Sequence, residues 1–236
     1  MSLPKIDYPI HSIKVPSLNK NYSFRPFLVK EEKLLLMAKE SETDTDFLSV
    51  IKQVVNNCLI DKLDINKLSI FDLEYVFLKL RAVSVDNKVK LSYKDNEDNK
   101  LYEFEIDLNE IDIKYPEKKI DNVIKITPKI GMTMKHPSAS LYDDKEFLSL
   151  EKDYMFELIL RCIENIFVED EIYNVKDYKK QDLEEFLENL DIKTFEAVND
   201  FLLNAPKIEH VIKYKNELGN ERKIVLSSLN DFFSLR

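Results

Sequence analysis

The sequence predicts an α+β protein: amphipathic helices packed with a small, mostly antiparallel sheet. Two patterns carry that reading. Apolar residues recur at helical spacing in several stretches, most cleanly at Phe47, Val50, Ile51, Val54, Val55, Cys58 and Leu59. Elsewhere apolar and polar residues alternate in pairs of segments separated by turn-forming loops, as in 88–94 and 101–108 around Asp-Asn-Glu-Asp-Asn. The helical and extended segments are segregated along the chain rather than alternating as βαβ units.

Taken in order, residues 3–24 place Pro4, Pro9 and Pro16 among short apolar alternations and read as an extended arm with one or two edge strands. That arm has too few apolar residues to fold alone and must lie on the rest of the chain or on a partner. Pro26 fixes its own φ and keeps Arg25 extended, so the first helix begins near Lys30, with Glu31 and Glu32 in a first turn that favours carboxylates. Asp46 is the expected N-cap of the helix that carries Cys58. Ser69 is the expected N-cap of a third helix, with Asp72 closing a short-armed capping box and an apolar stripe at Leu73, Val76, Phe77 and Leu80 running to about Ser84.

After the hairpin, 123–127 and 130–135 are read as two further strands of a sheet of four or five, closed by Pro137. A helix is then expected over Met155, Leu158, Ile159, Cys162, Ile163 and Ile166. A polar loop leads to two more helices, over Leu183 to Leu190 and Phe195 to Leu202, the second stopping at Pro206. A final hairpin over 208–214 and 222–226 and an aromatic tail at Asp231-Phe232-Phe233 complete the chain. The expected organisation is an arm over 1–29, a helical and β-hairpin domain over 30–140, and a helical domain with a C-terminal hairpin and aromatic tail over 141–236. A Cys-bearing helix, an Asp-Leu-Glu helix (72–74 and 182–184) and a hairpin entered through Tyr-Lys (93–94 and 214–215) recur in that order, which reads either as two weakly repeated helix–hairpin halves or as chance.

Composition narrows function mainly by exclusion. A net charge of −9 in 236 residues, with acids interspersed among the bases, argues against a nucleic-acid surface. Only two glycines, Gly131 and Gly219, occur, which excludes Gly-rich phosphate loops. No apolar run is long enough for a membrane span, and the start lacks the pattern of a signal peptide, so a cytosol is the expected compartment. Cys58 and Cys162 lie on apolar stripes and are expected to be buried free thiols. His11, His136 and His210 are scattered without metal-ligand spacing. No catalytic residue, cofactor or metal is expected, and the chain is read as a non-enzyme.

The adjacent carboxylates Glu31 and Glu32 point about 100° apart on a helix and do not converge on a substrate. Arg25 and Arg81 either pair with Glu32, Asp72 or Glu74, fixing the arm against the third helix, or are solvated. Phe232 and Phe233 either plug this chain's own core or anchor a partner.

Three blocks carry a family resemblance: Phe-Arg-Pro-Phe-Leu-Val-Lys-Glu-Glu-Lys-Leu-Leu at 24–35, Cys58, and Phe-Asp-Leu-Glu-Tyr-Val-Phe-Leu-Lys-Leu-Arg-Ala-Val-Ser at 71–84. Together they resemble the baseplate hub protein family of T-even-type contractile-tailed bacteriophages. The likeness continues through Ile130 to Pro137 and the terminal Leu-Asn-Asp-Phe-Phe. It implies a late, non-enzymatic protein of tail assembly, working as an assembly factor or hub component in the host cytoplasm and either leaving or staying in the virion. Implied partners are other baseplate hub or tail proteins. The alternative is a transient chaperone for the tape-measure protein. Arg25, Glu31, Glu32, Lys33, Asp72, Glu74, Arg81, Phe232 and Phe233 are the candidate structural or interface residues. Where the family pattern places zinc-ribbon-like cysteines in the final hairpin, this chain has Lys215-Asn216-Glu217-Leu218-Gly219-Asn220, so no structural zinc is expected there.

Overall fold

The computed structural model describes residues 6–40, 44–117, 120–150 and 152–233. The chain forms two compact units: unit 1 is Met1–Lys114 with Lys207–Arg236, and unit 2 is Tyr115–Pro206. The boundaries thus fall near 114 and 206 rather than at 29 and 140. The reason is a strand pairing that returns the final hairpin to the first part of the chain.

Unit 1 opens with the hairpin β1 (His11–Val15) and β2 (Lys20–Phe24), paired antiparallel from His11 opposite Phe24 to Val15 opposite Lys20. Helices α1 (Val29–Glu40), α2 (Asp44–Cys58) and α3 (Ile70–Ser84) follow. α2 starts two residues before the expected Asp46, whose side chain lies outside the described residues. Next come the antiparallel pair β3 (Lys88–Lys94) and β4 (Leu101–Asp107), then a short strand β5 (Asp112–Lys114) that the sequence pattern did not reveal. Phe24, Ile51, Leu73, Phe77, Leu80 and Leu91 are among the fully buried side chains that make its core. The arm lies on its own chain: Val15 and Phe24 are fully buried, and Phe24 bridges to Leu59 just after α2.

Unit 2 begins with β6 (Val123–Lys125) and β7 (Ile130–Met134), then the short α4 (Lys145–Leu148) and α5 (Tyr154–Cys162). Here the sequence reading needs correction. The helix stops at Cys162, and Ile163 to Val168 form a strand, β8, followed by β9 (Glu171–Asn174) in place of the expected loop. Ile163 and Ile166 continue a helical spacing, but the segment Ile-Glu-Asn-Ile-Phe-Val is rich in β-branched and aromatic residues and pairs along β7. Glu164 has no residue opposite it, which marks a β-bulge between Met134 and Thr133. Helices α6 (Lys180–Glu188) and α7 (Ile192–Leu203) complete the unit. Met132, Met134, Ile159, Cys162, Ile163 and Phe201 belong to one buried cluster.

The chain then returns to unit 1 through β10 (Lys207–Lys215), β11 (Glu221–Leu226) and the five-residue α8 (Leu229–Phe233). β10 pairs with β11 on one side and with β5 on the other. Among the described residues the single sheet of four or five strands is therefore replaced by four antiparallel groupings: β1-β2, β3-β4, β11-β10-β5 and β6-β7-β8-β9. The α+β class stands.

The recurrence within the chain is local. Asp64 accepts from Asn66 N at 3.1 Å ahead of a 3-10 turn, and Asn174 accepts from Lys176 N at 3.1 Å ahead of another, each a few residues before an Asp-Leu-Glu helix. Arg25 N donates to Cys58 O at 2.9 Å, as Lys135 N does to Cys162 O at 2.8 Å. Against this, among the described residues β8-β9 and α7 have no counterpart in the first half, and β10 carries a third strand that the β3-β4 pair lacks. The halves are not whole copies.

Candidate functional site

The stretch around Arg25 is a junction built from four directions. Pro26 ends the β2 strand, and Leu28 begins the turn into α1: Glu31 N and Glu32 N both donate to Leu28 O, while Leu28 N donates to Glu31 Oε2 at 3.0 Å. Glu31 is thus turned inward as the carboxylate of a capping arrangement, and its side chain is fully buried. Arg25 meets it with both arms of the guanidinium, Nη2 to Oε1 at 2.9 Å and Nη1 to Oε2 at 3.2 Å. The same guanidinium donates to Asn57 O at 2.8 Å and Pro26 O at 3.0 Å. Burial pushes the Glu31 carboxyl upward, but the Arg25 pair, the Leu28 N–H and the nearby Lys30 charge outweigh it and hold the group below the usual range.

This corrects the expected pairing of Arg25 with Glu32, Asp72 or Glu74. Successive helical side chains lie about 100° apart, so turning Glu31 inward turns Glu32 out. Glu32 and Lys33 are exposed.

The arm is nevertheless fixed to α3, by a different group. Asp72 is fully buried and accepts from Ser17 N at 2.9 Å and from Ser17 Oγ at 2.5 Å, at the tip of the β1-β2 hairpin. The Ser69 hydroxyl also donates to Asp72 and accepts from Asp72 N at 3.4 Å. The Asp72 carboxylate that was expected to close the α3 cap thus spans to the arm. Two turns further on, Arg81 donates to Asp86 O at 3.2 Å, at the exit from the same helix. Glu74 faces the final helix: burial and the Asp231 charge push its carboxyl up to about 7, against the pull of a Leu229 N–H bond. Phe232 is fully buried within unit 1. The Phe233 side chain and residues 234–236 lie outside the described residues.

A second cluster, not singled out from the sequence, joins the tips of the β3-β4 and β10-β11 hairpins of unit 1. Asp95 is fully buried; it accepts from the Tyr214 hydroxyl and from Arg222 Nε at 3.0 Å. Arg222 Nη2 also donates to Asn96 Oδ1 at 2.5 Å, and Asn216 Nδ2 donates to Glu97 Oε2 at 2.5 Å. Glu217 N is held by the Tyr102 hydroxyl at 2.7 Å and Asp98 Oδ2 at 3.1 Å. The Tyr214 ring lies 4.9 Å from Tyr102 and 5.3 Å from Phe104, centroid to centroid. Burial would raise the Asp95 carboxyl, yet the Tyr214 hydroxyl, backbone N–H groups and Arg222 hold it low. The one sequence signal for this cluster was the repeated Tyr-Lys before each hairpin loop; its partners lie more than a hundred positions apart.

Within unit 2, Arg161 Nε pairs with Asp144 Oδ2 at 2.7 Å and Nη1 with Glu157, which Lys180 also reaches at 2.8 Å, tying α4, α5 and α6 together. Cys58 and Cys162 are both free and buried, with burial pushing the thiols up to about 11 and about 12, so neither is a thiolate at neutral pH. His11 lies in β1, His210 in β10, and His136 stacks on Phe201 with centroids 4.6 Å apart. Among the described residues no group of three or more His, Cys, Asp or Glu side chains is arranged to hold a metal ion. What these clusters do is fasten segments distant in sequence.

No curated protein and no solved structure matches the chain. A family model described as "T4 bacteriophage base plate protein" matches residues 8–234, nearly the whole chain, taking in the arm, both units and the final helix. The chain belongs to the T4 bacteriophage base plate protein family.

Proposed function

We propose that this base plate protein works at the hub of the tail baseplate, binding other hub or tail proteins as an assembly factor or hub component, without catalysing a reaction. The observation that supports this most is the match of the base plate family model over residues 8–234. The engagement of Glu31, Asp72 and Asp95 in fold-closing hydrogen bonds supports the same reading, because these buried carboxylates serve to hold segments in place. Neither nucleic acid nor a bilayer is required; no helix among the described residues is long and apolar enough to cross a membrane. The proposed setting is the host cytoplasm during assembly, and then the virion tail if the protein is retained.

Co-purification with individually expressed hub and tail proteins tests the binding role; failure with all of them refutes it. Mass spectrometry of purified virions then separates the two forms. Stoichiometric presence marks a hub component, and absence marks a transient factor. A chaperone for the tape-measure protein is the second reading, favoured by the outward apolar residues Val29, Leu36 and Met37 of α1. Crosslinking from position 36 to the tape-measure protein in infected cells distinguishes it.

A further inference from the structure

The four-stranded sheet of unit 2 packs one face on its core through Ile124, Met132, Met134 and Ile163. On the opposite face Thr133, Asn165 and Phe167 are half-buried and Ile172 is exposed. Along it the register sets Thr133 opposite Asn165, Gly131 opposite Phe167, and Phe167 opposite Ile172. The Phe167 ring lies directly over Gly131: a Cβ there would stand 2.4 Å from Phe167 Cζ and 2.7 Å from Ile124 O. Gly131 is therefore used for space, allowing the ring to approach the strand backbone closely. Beside that ring is a hollow of about 310 Å³ lined by Thr133, Asn165, Phe167, Glu169, Asp170 and Ile172.

β9 is the outermost strand on this side of the sheet, and Ile172 within it is 74% exposed. A sheet edge offers a row of main-chain donors and acceptors, and it takes an extended chain readily. The rim carries Glu169 and Asp170 in the β8-β9 turn and Glu171 at the start of β9, with Glu164 at the bulge; Glu169 is paired with Lys129, which leaves acids in excess. Residues 115–206 hold twenty carboxylates against twelve lysines and arginines, nearly all of the excess behind the chain's net charge of −9.

We propose that this edge receives an extended segment of another protein in which lysine or arginine alternates with branched apolar residues, adding as a fifth strand beside β9. Main-chain bonds to the edge would fix the segment, with one apolar side chain entering the hollow beside Phe167 and the basic side chains meeting the rim. A second copy of this chain is the poorer occupant, since its own β9 would bring the same carboxylates against these. The inference deepens the binding role proposed above and rests on it. Its test uses peptides, so that its failure leaves the co-purification result untouched.

The full chain is titrated with two blocked nine-residue peptides, one alternating valine with lysine and the other valine with glutamate, and followed by amide NMR and hydrogen exchange. The expected result is binding of the lysine peptide alone, with β9 amides exchanging at least about tenfold more slowly. Ile172→Lys should weaken that binding about tenfold or more, whereas Ile192→Lys, at another exposed position, should leave it unchanged. Equal binding of both peptides, binding of neither, protection away from β9, or concentration-dependent pairing of the protein through β9 would each overturn the proposal.

Discussion

Replacing Arg25 with lysine keeps the charge and removes the fork, so it isolates what the geometry of the junction contributes. Arg25 makes two bonds to Glu31, at 2.9 and 3.2 Å, and one each to Asn57 O and Pro26 O. A lysine ammonium presents its donors from one point and cannot hold both carboxylate oxygens and both carbonyls. Two charge-assisted bonds are then lost, each contributing about 1.5–3 kcal/mol. Because the Arg25 side chain is 18% exposed, water restores part of this, and Arg25→Lys should cost about 2–3 kcal/mol. Glu31→Gln should cost at least as much, because it leaves the guanidinium half-buried without a counter-charge. The double variant should cost less than the sum, with about 1–2 kcal/mol of coupling. Urea unfolding followed by circular dichroism measures all three, with hydrogen exchange at the amides of β2 and α1 locating the loss. A cost below about 0.5 kcal/mol for Arg25→Lys would show that the fork is incidental and refute the reasoning.

Glu74, with its carboxyl raised to about 7, stabilises the fold fully below the unfolded value of about 4.3 and loses that contribution as pH rises through 7. Glu74→Gln should therefore be more stable than the wild type at pH 8, by at most about 3–4 kcal/mol, and the difference in thermal midpoint should vanish below about pH 4. Glu31 acts in the opposite sense, its contribution being present above the ordinary carboxylate value and lost as pH falls through its depressed one. Asp72→Asn should loosen the arm more than the α3 helix it belongs to, by about 1–3 kcal/mol, seen as faster amide exchange at Ser17 and along β2. Gly131→Ala should destabilise unit 2 by about 1–3 kcal/mol in urea unfolding, and Phe167→Leu should rescue it only in part, because Ile124 O stays too close to the added methyl.

Features that depend on near neighbours were readable in the sequence. The Ser69 cap, the helix over the Cys58 stripe, the Arg-Pro break before α1 and the hairpin around Asp95 to Lys100 all appear where local chemistry places them. The errors arose where a distant partner decides. Ile163 and Ile166 fit a helix until β7 is available to pair with them. β5 is three residues long and exists because β10 lies beside it. For the same reason the unit boundary near residue 140 could not be placed correctly from composition. Among the candidate site residues, Glu31 and Asp72 were expected at helix starts, but their partners Arg25 and Ser17 were not assigned to them, since an inward turn at Pro26 and a hairpin tip decide those contacts.

The pairing of Tyr214 with Asp95 spans 119 positions and has a consequence for the order of synthesis. At a translation rate of about 5–20 residues per second, the segment that forms unit 2 emerges over roughly 5–20 s while β3 and β4 are already made. During that interval Tyr102 and Phe104 lack the ring that later covers them, and β5 lacks its neighbour strand. Unit 2 can close first from contiguous chain, whereas unit 1 must wait for a segment made after it. A nascent chain stalled between 115 and 206 would therefore present an aromatic surface that the finished protein partly covers.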